Sequence, residues 1–488
     1  MNRFLSWKMS PWAINILLGI RQTLIIAGVI AFGVLLAYLL VSPRVALTVS
    51  LIGVLLHVLI ILVNPLNGLL FWFVFFPFSE RVVNIPLPAG IPDLSPTRFV
   101  IAFLAIMILG QVAIRKRVWP RLTKLDWAIV AFMIGILLST ATADNPLLGI
   151  QFVLDSYLVP LIIYFLAKNL ITSRKDIMKV FSALLIVGAY AAVIIISEQT
   201  TSYILNFQQA PDIIVIEYLY VSYTTSLRMA RVPLFGSVDG IGQVFAMVIP
   251  IAFYLMFKSP SGAKKVWYVM LIGLMFVGVF YTYKRTAYLS IPISFFVIQF
   301  FYPQFRRIFF VILVVFGLVL AVTWTQVSNS ALVNERIQGS DLEGANGRTD
   351  MWTRSWDLWK QRPISGWGFR RLENLDGGTA QESLFFLLLT SAGLVGFVPY
   401  VLMMIFVIFD SIVLFFRVRL NPHNLFVDRT LIAIFWGATL PYLLHSFQGN
   451  QAHQVTNVIF MLLIGTIVGS QQAISVNKKE EKLGASNA

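Results

Sequence analysis

Cysteine is absent from the 488 residues, and charged residues are scarce. Without cysteine, the chain cannot form a disulfide, a thiolate nucleophile or a cysteine-ligated metal centre. Only 12% of its residues are charged and 58% are hydrophobic, whereas soluble domains carry about 25% charged residues. These proportions exclude a soluble enzyme, a disordered scaffold and a fibrous protein.

Apolar runs of nearly twenty residues recur along the whole chain. They predict an all-α, polytopic transmembrane bundle of about 12–14 spans, built as a single integral membrane domain over 1–488. The third run is too short to cross a ~30 Å hydrocarbon core, so a re-entrant or tilted hairpin turning at Asn64-Pro65 is the alternative that lowers the count. The predicted spans are 22–42, 45–63, 66–78, 97–114, 126–143, 148–171, 177–197, 238–257, 266–283, 286–302, 307–325, 383–413, 428–446 and 455–471.

The net charge of +15 is informative through its distribution between loops. Placing the N-terminus inside puts most Lys and Arg residues in cytoplasmic loops, as the positive-inside rule requires. Both termini are therefore predicted to be cytoplasmic, and no nucleic-acid partner is expected. The chain start lacks a small-residue cleavage site, which favours a retained amphipathic cytoplasmic segment. The same topology places 198–237 and 326–382 outside and makes 472–488 a cytoplasmic tail.

Two outside segments are unusual. Lys284 and Arg285 lie in a very short outside turn, where positive charge is disfavoured. The long loop 326–382 contains TDMWTRSWDLWKQRP, which predicts a helix capped by Thr349 or Asp350 and stopped by Pro363.

This predicted helix is amphipathic. Trp352, Trp356 and Trp359 share one face, which suits a helix lying flat at the membrane surface. Arg348 would stand just before its N-terminus, where anions are favoured. The glycines of the following ISGWGFRRLEN segment permit a tight turn.

The order of these segments resembles the O-antigen ligase and polymerase superfamily. GANGRTDMWTRSWDLWKQRPISGWGF followed by ESLFFLLLTSAGLVGF is similar to its signature region. Upstream, FGSVDGIGQVFAMVIPIAF resembles the glycine-containing start of a span in that family. YKRTAYLS resembles the family's Ser-Arg-Gly-type turn, with Arg285 as the arginine.

The resemblance implies a glycosyltransferase C-like bundle. Its activity would be metal-independent, inverting glycosyl transfer on the outer face of the bacterial plasma (inner) membrane, with no cofactor. The implied donor is an undecaprenyl-diphosphate-linked glycan. The implied acceptor is a lipid-linked glycan in polymerases, or lipid A-core in ligases. Ligases have His-Asn where this chain has Glu382-Ser383, which favours a polymerase over a ligase.

Glycan transfer from a lipid diphosphate needs fixed cations for the leaving group and a base for the acceptor hydroxyl. Arginine grips phosphate bidentately and stays charged. The candidate base is Glu382, with His445 and His453 as alternatives. Trp352 and Trp356 form either an interfacial belt or a sugar-stacking platform. The candidate diphosphate ligands are Arg285, Arg348 and one of Arg370 or Arg371, with Arg231 as a further candidate.

Other interpretations remain open at this level. Asp155 lies within a span, where it is either functional or paired with an arginine. His57 is predicted to be a hydrogen-bonded packing residue. A polysaccharide transporter or lipid-linked oligosaccharide flippase is the rival class, and a non-catalytic assembly subunit is a third. Membrane lipids and other polysaccharide-assembly proteins are the further expected partners.

Overall fold

A computed structural model describes most of the chain. The described residues are 45–82, 95–117, 122–143, 145–201, 203–209, 214–220, 235, 238–282, 284–303, 305–311, 313–314, 341–369, 383–420, 427–448 and 454–486. The helices are α1 Val45–Val63, α2 Pro65–Val82, α3 Pro96–Ala113, α4 Lys124–Thr140, α5 Pro146–Leu170, α6 Arg174–Thr201, α7 Val238–Lys258, α8 Gly262–Thr282, α9 Arg285–Phe301, α10 Asp341–Gln361, α11 Leu384–Leu420, α12 Arg429–Gln448 and α13 Gln454–Ser486.

The helices agree closely with the predicted spans. Within the described ranges, eight of them are long and apolar enough to cross a membrane, namely α3, α5, α6, α7, α8, α11, α12 and α13. This confirms an all-α polytopic membrane protein. The predicted span 22–42 lies outside the described residues. Most of the predicted span 307–325 does too, although 305–311 and 313–314 are helical.

The first two described helices form a hairpin that turns at Asn64. His57 Nε2 lies 2.8 Å from the Gly68 carbonyl oxygen, which joins the two helices across the turn. The His57 and Phe71 rings also meet edge to face at 5.1 Å. The turn predicted at Asn64-Pro65 is therefore present, and His57 is the hydrogen-bonded packing residue that the sequence predicted.

Helix α5 contains a π-helical turn over Leu154–Leu158. The wider π turn leaves the Ser156 carbonyl to accept a hydrogen bond from the Asn457 amide of α13 at 2.7 Å. Asn457 in turn accepts from the Tyr442 hydroxyl of α12 at 2.8 Å. The π turn is thus fixed by two neighbouring helices.

Helix α11 is broken at Gly393, contrary to the single span predicted over 383–413. Gly393 has φ 60° and ψ −163°, so the element consists of α11a (384–392) and α11b (394–420). The Phe385 ring lies 6.0 Å from the Tyr400 ring and 6.3 Å from the Phe397 ring. In a continuous helix, residues twelve apart are separated by about 18 Å, so α11a folds back against the start of α11b. Hydropathy does not reveal the break because both halves are apolar.

Helix α10 begins earlier than the sequence predicted. It runs through Thr349 and Asp350, the two predicted caps, and starts at Asp341. Arg348 consequently lies within the helix and not beside its N-terminus, which corrects that prediction. The predicted stop before Pro363 is confirmed.

The outside loop predicted over 198–237 contains a β-hairpin. Strands β1 Tyr203–Gln209 and β2 Ile214–Tyr220 pair antiparallel, with Tyr203 opposite Tyr220 and Gln209 opposite Ile214. Their aromatic and β-branched residues have high strand propensity. The hairpin was not predicted, and it is the one departure from helix among the described elements.

Helix α13 packs closely along α5 through a Gly-x-x-x-Gly pair. A Cβ at Gly465 would lie 2.6 Å from the Tyr164 carbonyl oxygen, and one at Gly469 would lie 2.7 Å from that of Lys168. Small residues permit such close contact between helices in a membrane. Next to this helix contact, Lys168 forms a fully buried ion pair with Asp126 of α4, and the Tyr164 hydroxyl donates to the same carboxylate.

Candidate functional site

The candidate site is built around a crossing between the turn 362–369 and the break in α11. The amide of Trp367 donates to the Thr390 carbonyl at 2.8 Å, and that of Gly368 donates to Ser391 at 2.9 Å. In return, the amides of Leu394 and Val395 donate to Pro363 at 2.9 Å and to Ile364 at 3.2 Å. The turn therefore satisfies both the last carbonyls of α11a and the first amides of α11b, which a helix break leaves without partners.

Three glycines make this crossing possible. Gly366, Gly368 and Gly393 have φ values of 67°, 85° and 60°, a conformation that costs other residues about 1–2 kcal/mol. A Cβ on Gly366 would lie 2.6 Å from the Gly393 amide nitrogen, and one on Gly393 would lie 2.6 Å from the Gly366 nitrogen. A Cβ on Gly368 would lie 2.7 Å from Ala143, beyond the end of α4. We refer to these three glycines and their backbone contacts as the glycine crossing.

Aromatic groups hold the end of α10 to the turn. The Trp367 indole donates to the Leu358 carbonyl at 2.8 Å, and that of Trp359 donates to Pro363 at 3.2 Å. The Arg362 guanidinium lies 4.3 Å from the centre of the Trp367 ring, a favourable cation–π geometry. The glycine crossing and the aromatic helix therefore form one unit.

The start of α11a contacts the end of α12. The Ser383 hydroxyl donates to the Ser446 carbonyl at 3.4 Å. Ser383 follows Glu382 in the sequence, and Ser446 follows His445, which is itself buried. The contact thus joins the residue after Glu382, the first candidate base, to the residue after His445, the alternative base.

The turn also reaches the π turn of α5 through Phe369. The Phe369 ring lies 5.6 Å from both the Phe152 ring and the Tyr157 ring. Within this π turn, Asp155 forms a bidentate ion pair with Arg98. Arg98 Nε donates to Asp155 Oδ1 at 3.0 Å, and Arg98 Nη2 donates to Oδ2 at 2.7 Å. Asp155 is therefore paired with an arginine, one of the two readings that the sequence left open.

A second ion pair joins the start of α7 to the turn before α9. Lys284 Nζ lies 2.9 Å from Asp239 Oδ1. The cation in this short turn is thus neutralised by a carboxylate from the FGSVDGIGQ segment. Both family-like upstream segments consequently meet at one end of the bundle.

The predicted site residues are described to different degrees. Trp352 is exposed and stacks on Phe386 of α11a at 5.8 Å, and Trp356 is exposed and contacts Trp359 at 4.6 Å. Arg285 is the first residue of α9 and Arg348 lies in α10, and only their backbones are described. Glu382, Arg370, Arg371 and Arg231 lie outside the described residues, as does His453.

Sequence reasoning missed three features of the site. The partner of Asp155 is Arg98, which stands 57 residues earlier and belongs to no motif. Asp239 was not singled out, although it lies within a quoted segment. Gly393 belongs to the quoted ESLFFLLLTSAGLVGF segment, but its left-handed conformation and the break in the helix were not predicted. Asp155 is an acidic residue within a predicted span, and such residues need a partner. This was the available sequence signal for its ion pair with Arg98.

Together these elements define a polytopic helical membrane protein with an aromatic helix and a glycine-rich turn anchored on a broken helix. The O-antigen ligase family model matches residues 270–401. The matched region contains most of α8, all of α9 and α10, the glycine crossing and the first half of α11. Over these residues the chain matches the O-antigen ligase and polymerase superfamily, as its sequence motifs predicted, and the match supports a glycan-transfer role of that general type. Comparisons with curated proteins and with solved structures give no match.

Proposed function

We propose that this protein is an outer-face glycosyltransferase that polymerises undecaprenyl-diphosphate-linked oligosaccharides during synthesis of a surface polysaccharide such as O-antigen or exopolysaccharide. The observation that carries the proposal is the glycine crossing within the family-matched region. It anchors the C-terminal end of α11a, and the hydrogen bond of Ser383 to Ser446 joins the start of α11a to the α12 segment that carries His445. The described residues next to the candidate bases therefore lie in a packed contact between α11a and α12, which supports a positioned base there.

The proposed reaction forms a glycosidic bond and releases undecaprenyl diphosphate. The acceptor hydroxyl attacks the anomeric carbon of the donor sugar, its proton passes to Glu382, and the C–O bond to the diphosphate breaks. Attack from the face opposite the leaving group inverts the anomeric centre. No divalent metal is needed where arginines supply the countercharge.

Arginines supply the positive charge that the leaving diphosphate requires. The proposed ligands are Arg285 and Arg348, with Arg370 or Arg371, and with Arg231 as an additional contact. The ion pair of Lys284 with Asp239 supports a role for this end of the bundle, because it brings the turn that carries Arg285 to the start of α7. Fixed cations of this kind commonly contribute about 3–4 kcal/mol each to transition-state stabilisation.

The proposed orientation places the glycine crossing outside and both chain termini in the cytoplasm. Support comes from the distribution of Lys and Arg between loops, which follows the positive-inside rule. The opposite end of the bundle carries Arg174 and Lys258, which share the carboxylate of Asp428. Trp352 and Trp356 then lie at the outer interface, where they anchor α10 or stack on the glycan.

Ligation to lipid A-core or another acceptor is the second candidate, because the matching family model is described as an O-antigen ligase. The two functions leave different intermediates. Loss of a polymerase leaves single repeat units on the lipid carrier, whereas loss of a ligase leaves finished long chains on it.

The test is an analysis of lipid-linked and surface glycans in a deletion strain carrying wild type or no gene. We expect single repeat units on undecaprenyl diphosphate, accessible from outside, in the strain without the gene. Long lipid-linked chains would assign ligation instead. Repeat units trapped on the inner leaflet would identify a flippase and overturn the proposal.

A further inference from the structure

The two ion pairs that involve α5 differ in how far their side chains are buried. The side chains of Lys168 and Asp126 are 1% and 0% exposed, and the Tyr164 hydroxyl also donates to Asp126. Those of Arg98 and Asp155 are 16% and 28% exposed. The first pair is thus fully buried, as expected for a pair that links two helices, whereas the second is partly exposed.

An open carboxylate within a membrane-spanning helix is costly unless it faces a polar cavity or a ligand. Asp155 lies nine residues from the start of α5, which is about 13 Å along the helix axis. It also belongs to the π turn Leu154–Leu158, and such turns occur frequently at functional sites. Position and backbone conformation both distinguish Asp155 from an ordinary packing residue.

The π turn is tied to the glycine crossing. Tyr157 and Phe152 flank Asp155 in the sequence, and both contact the Phe369 ring at 5.6 Å. On the other side, Asn457 holds the Ser156 carbonyl. A residue at position 155 is therefore fixed relative to the family-matched turn, although it lies well before residues 270–401 in the chain.

The chemistry of the pair suits a sugar. An ionised carboxylate has about four lone-pair sites, and the bidentate contact with Arg98 uses one on each oxygen. The remaining sites can accept hydrogen bonds from neighbouring hydroxyl groups, while the bidentate contact with Arg98 fixes the orientation of the carboxylate.

We propose that Asp155, positioned by Arg98, binds hydroxyl groups of a glycan substrate beside the glycine crossing. Asp155 is the substrate-binding residue in this inference and Arg98 is its positioning residue. The inference rests on the proposed glycan transfer. The hydroxyls belong to either the donor glycan or the acceptor glycan, and the experiment separates these two sources.

The experiment measures transfer by the purified full-length protein in lipid nanodiscs. The probes are the lipid-linked repeat units that accumulate in the deletion strain, as donor, and the lipid-free repeat oligosaccharide, as acceptor. One arm varies the donor and the other varies the acceptor. We expect Asp155→Asn to raise the KM for one of them by about 10- to 100-fold, the effect of losing a hydrogen bond to a charged group. Its thermal midpoint should stay close to wild type.

Exchanging the charges separates binding from structure. The double variant Arg98→Asp/Asp155→Arg restores an ion pair but moves the carboxylate to α3, so we expect a folded protein with little transfer. Arg98→Lys, which keeps the charge but loses the bidentate fork, should raise the same KM by a smaller factor. The matched control is the double variant Asp126→Asn/Lys168→Met in the buried pair. It should change the thermal midpoint and leave both KM values unchanged.

Wild-type KM values in a folded Asp155→Asn protein, or in the charge-exchanged protein, would overturn the inference. If Asp155→Asn does not fold, Asp155→Glu provides the same test because it keeps the charge and shifts the oxygens. A folded Asp155→Glu protein with wild-type KM values would again be decisive against it. Absence of transfer by the wild-type protein would instead count against the proposed function, which keeps the two failures distinguishable.

Discussion

The hydroxyl of Ser383 donates a hydrogen bond to the carbonyl oxygen of Ser446, which joins the start of α11a to the end of α12. Each serine follows a candidate base in the sequence, Glu382 in one case and His445 in the other. The ligases that the chain resembles carry histidine where this chain carries Glu382. The contact joins the residue after Glu382 to the residue after His445, so the identity of the base becomes a question that two substitutions can answer.

We expect Glu382→Gln to abolish transfer, because glutamine keeps the shape of the side chain but cannot accept the acceptor proton. His445→Gln should retain most of the activity, and no lipid-linked intermediate should accumulate. Polymer in the deletion strain, normalised to the amount of membrane-inserted protein, is the measurement. The reverse pattern would assign the proton transfer to His445, and a normal polymer from both variants would exclude both residues as the base.

The glycine crossing should tolerate no side chain. Gly393→Ala and Gly366→Ala each place a Cβ on a left-handed residue, which costs about 1–2 kcal/mol. Each added Cβ would also overlap the opposing backbone. We expect a clear fall in the thermal midpoint of the detergent-solubilised protein and loss of polymer.

Gly110→Ala is the control for the crossing, because no atom lies within 4 Å of a Cβ there. It lies within α3, where alanine stabilises a helix by roughly 0.5–1 kcal/mol relative to glycine. Equal behaviour of Gly393→Ala and Gly110→Ala would show that the left-handed conformation is not required.

The close contact between α13 and α5 is predicted to contribute to stability and not to chemistry. Gly465→Ala and Gly469→Ala would press a methyl group against the backbone of Tyr164 and Lys168. Overpacking of this kind costs about 1–3 kcal/mol. We expect lower thermal midpoints with unchanged KM values for the protein that remains folded. Gly273→Ala, in open space on α8, should leave the midpoint at or slightly above that of the wild type.

The proposed diphosphate ligands should be essential. Arg285→Ala and Arg348→Ala are each expected to abolish polymer while leaving protein levels unchanged, because a cation that stabilises the leaving group contributes about 3–4 kcal/mol. Immunoblotting of membranes and analysis of lipid-linked repeat units together provide the measurement. Arg306→Ala is the control, since Arg306 is an exposed arginine in the helical segment 305–311 that follows α9. Normal polymer from both ligand variants would contradict the diphosphate hypothesis.

The predicted and observed structures differ mainly at positions where distant backbones meet. Helix α10 could be predicted to stop at Pro363 because proline prevents continuation locally. The break at Gly393 could not, because the apolar run passes through it without a change of composition. Its carbonyls and amides are satisfied by the turn 362–369, which lies more than twenty residues away. Only a partner placed by the fold makes that break stable.

The sequence by itself determined the class of protein, the positions of most helices and the resemblance to a family over residues 270–401. These follow from local physics, because a run of about twenty apolar residues must bury its backbone polar groups in a helix to cross a bilayer. The tertiary structure alone decided that Asp155 pairs with Arg98, that Lys284 pairs with Asp239, and that Gly366 meets Gly393. Such pairs depend on which helices become neighbours, and helix packing is set by shape and charge across the whole bundle rather than by any single segment.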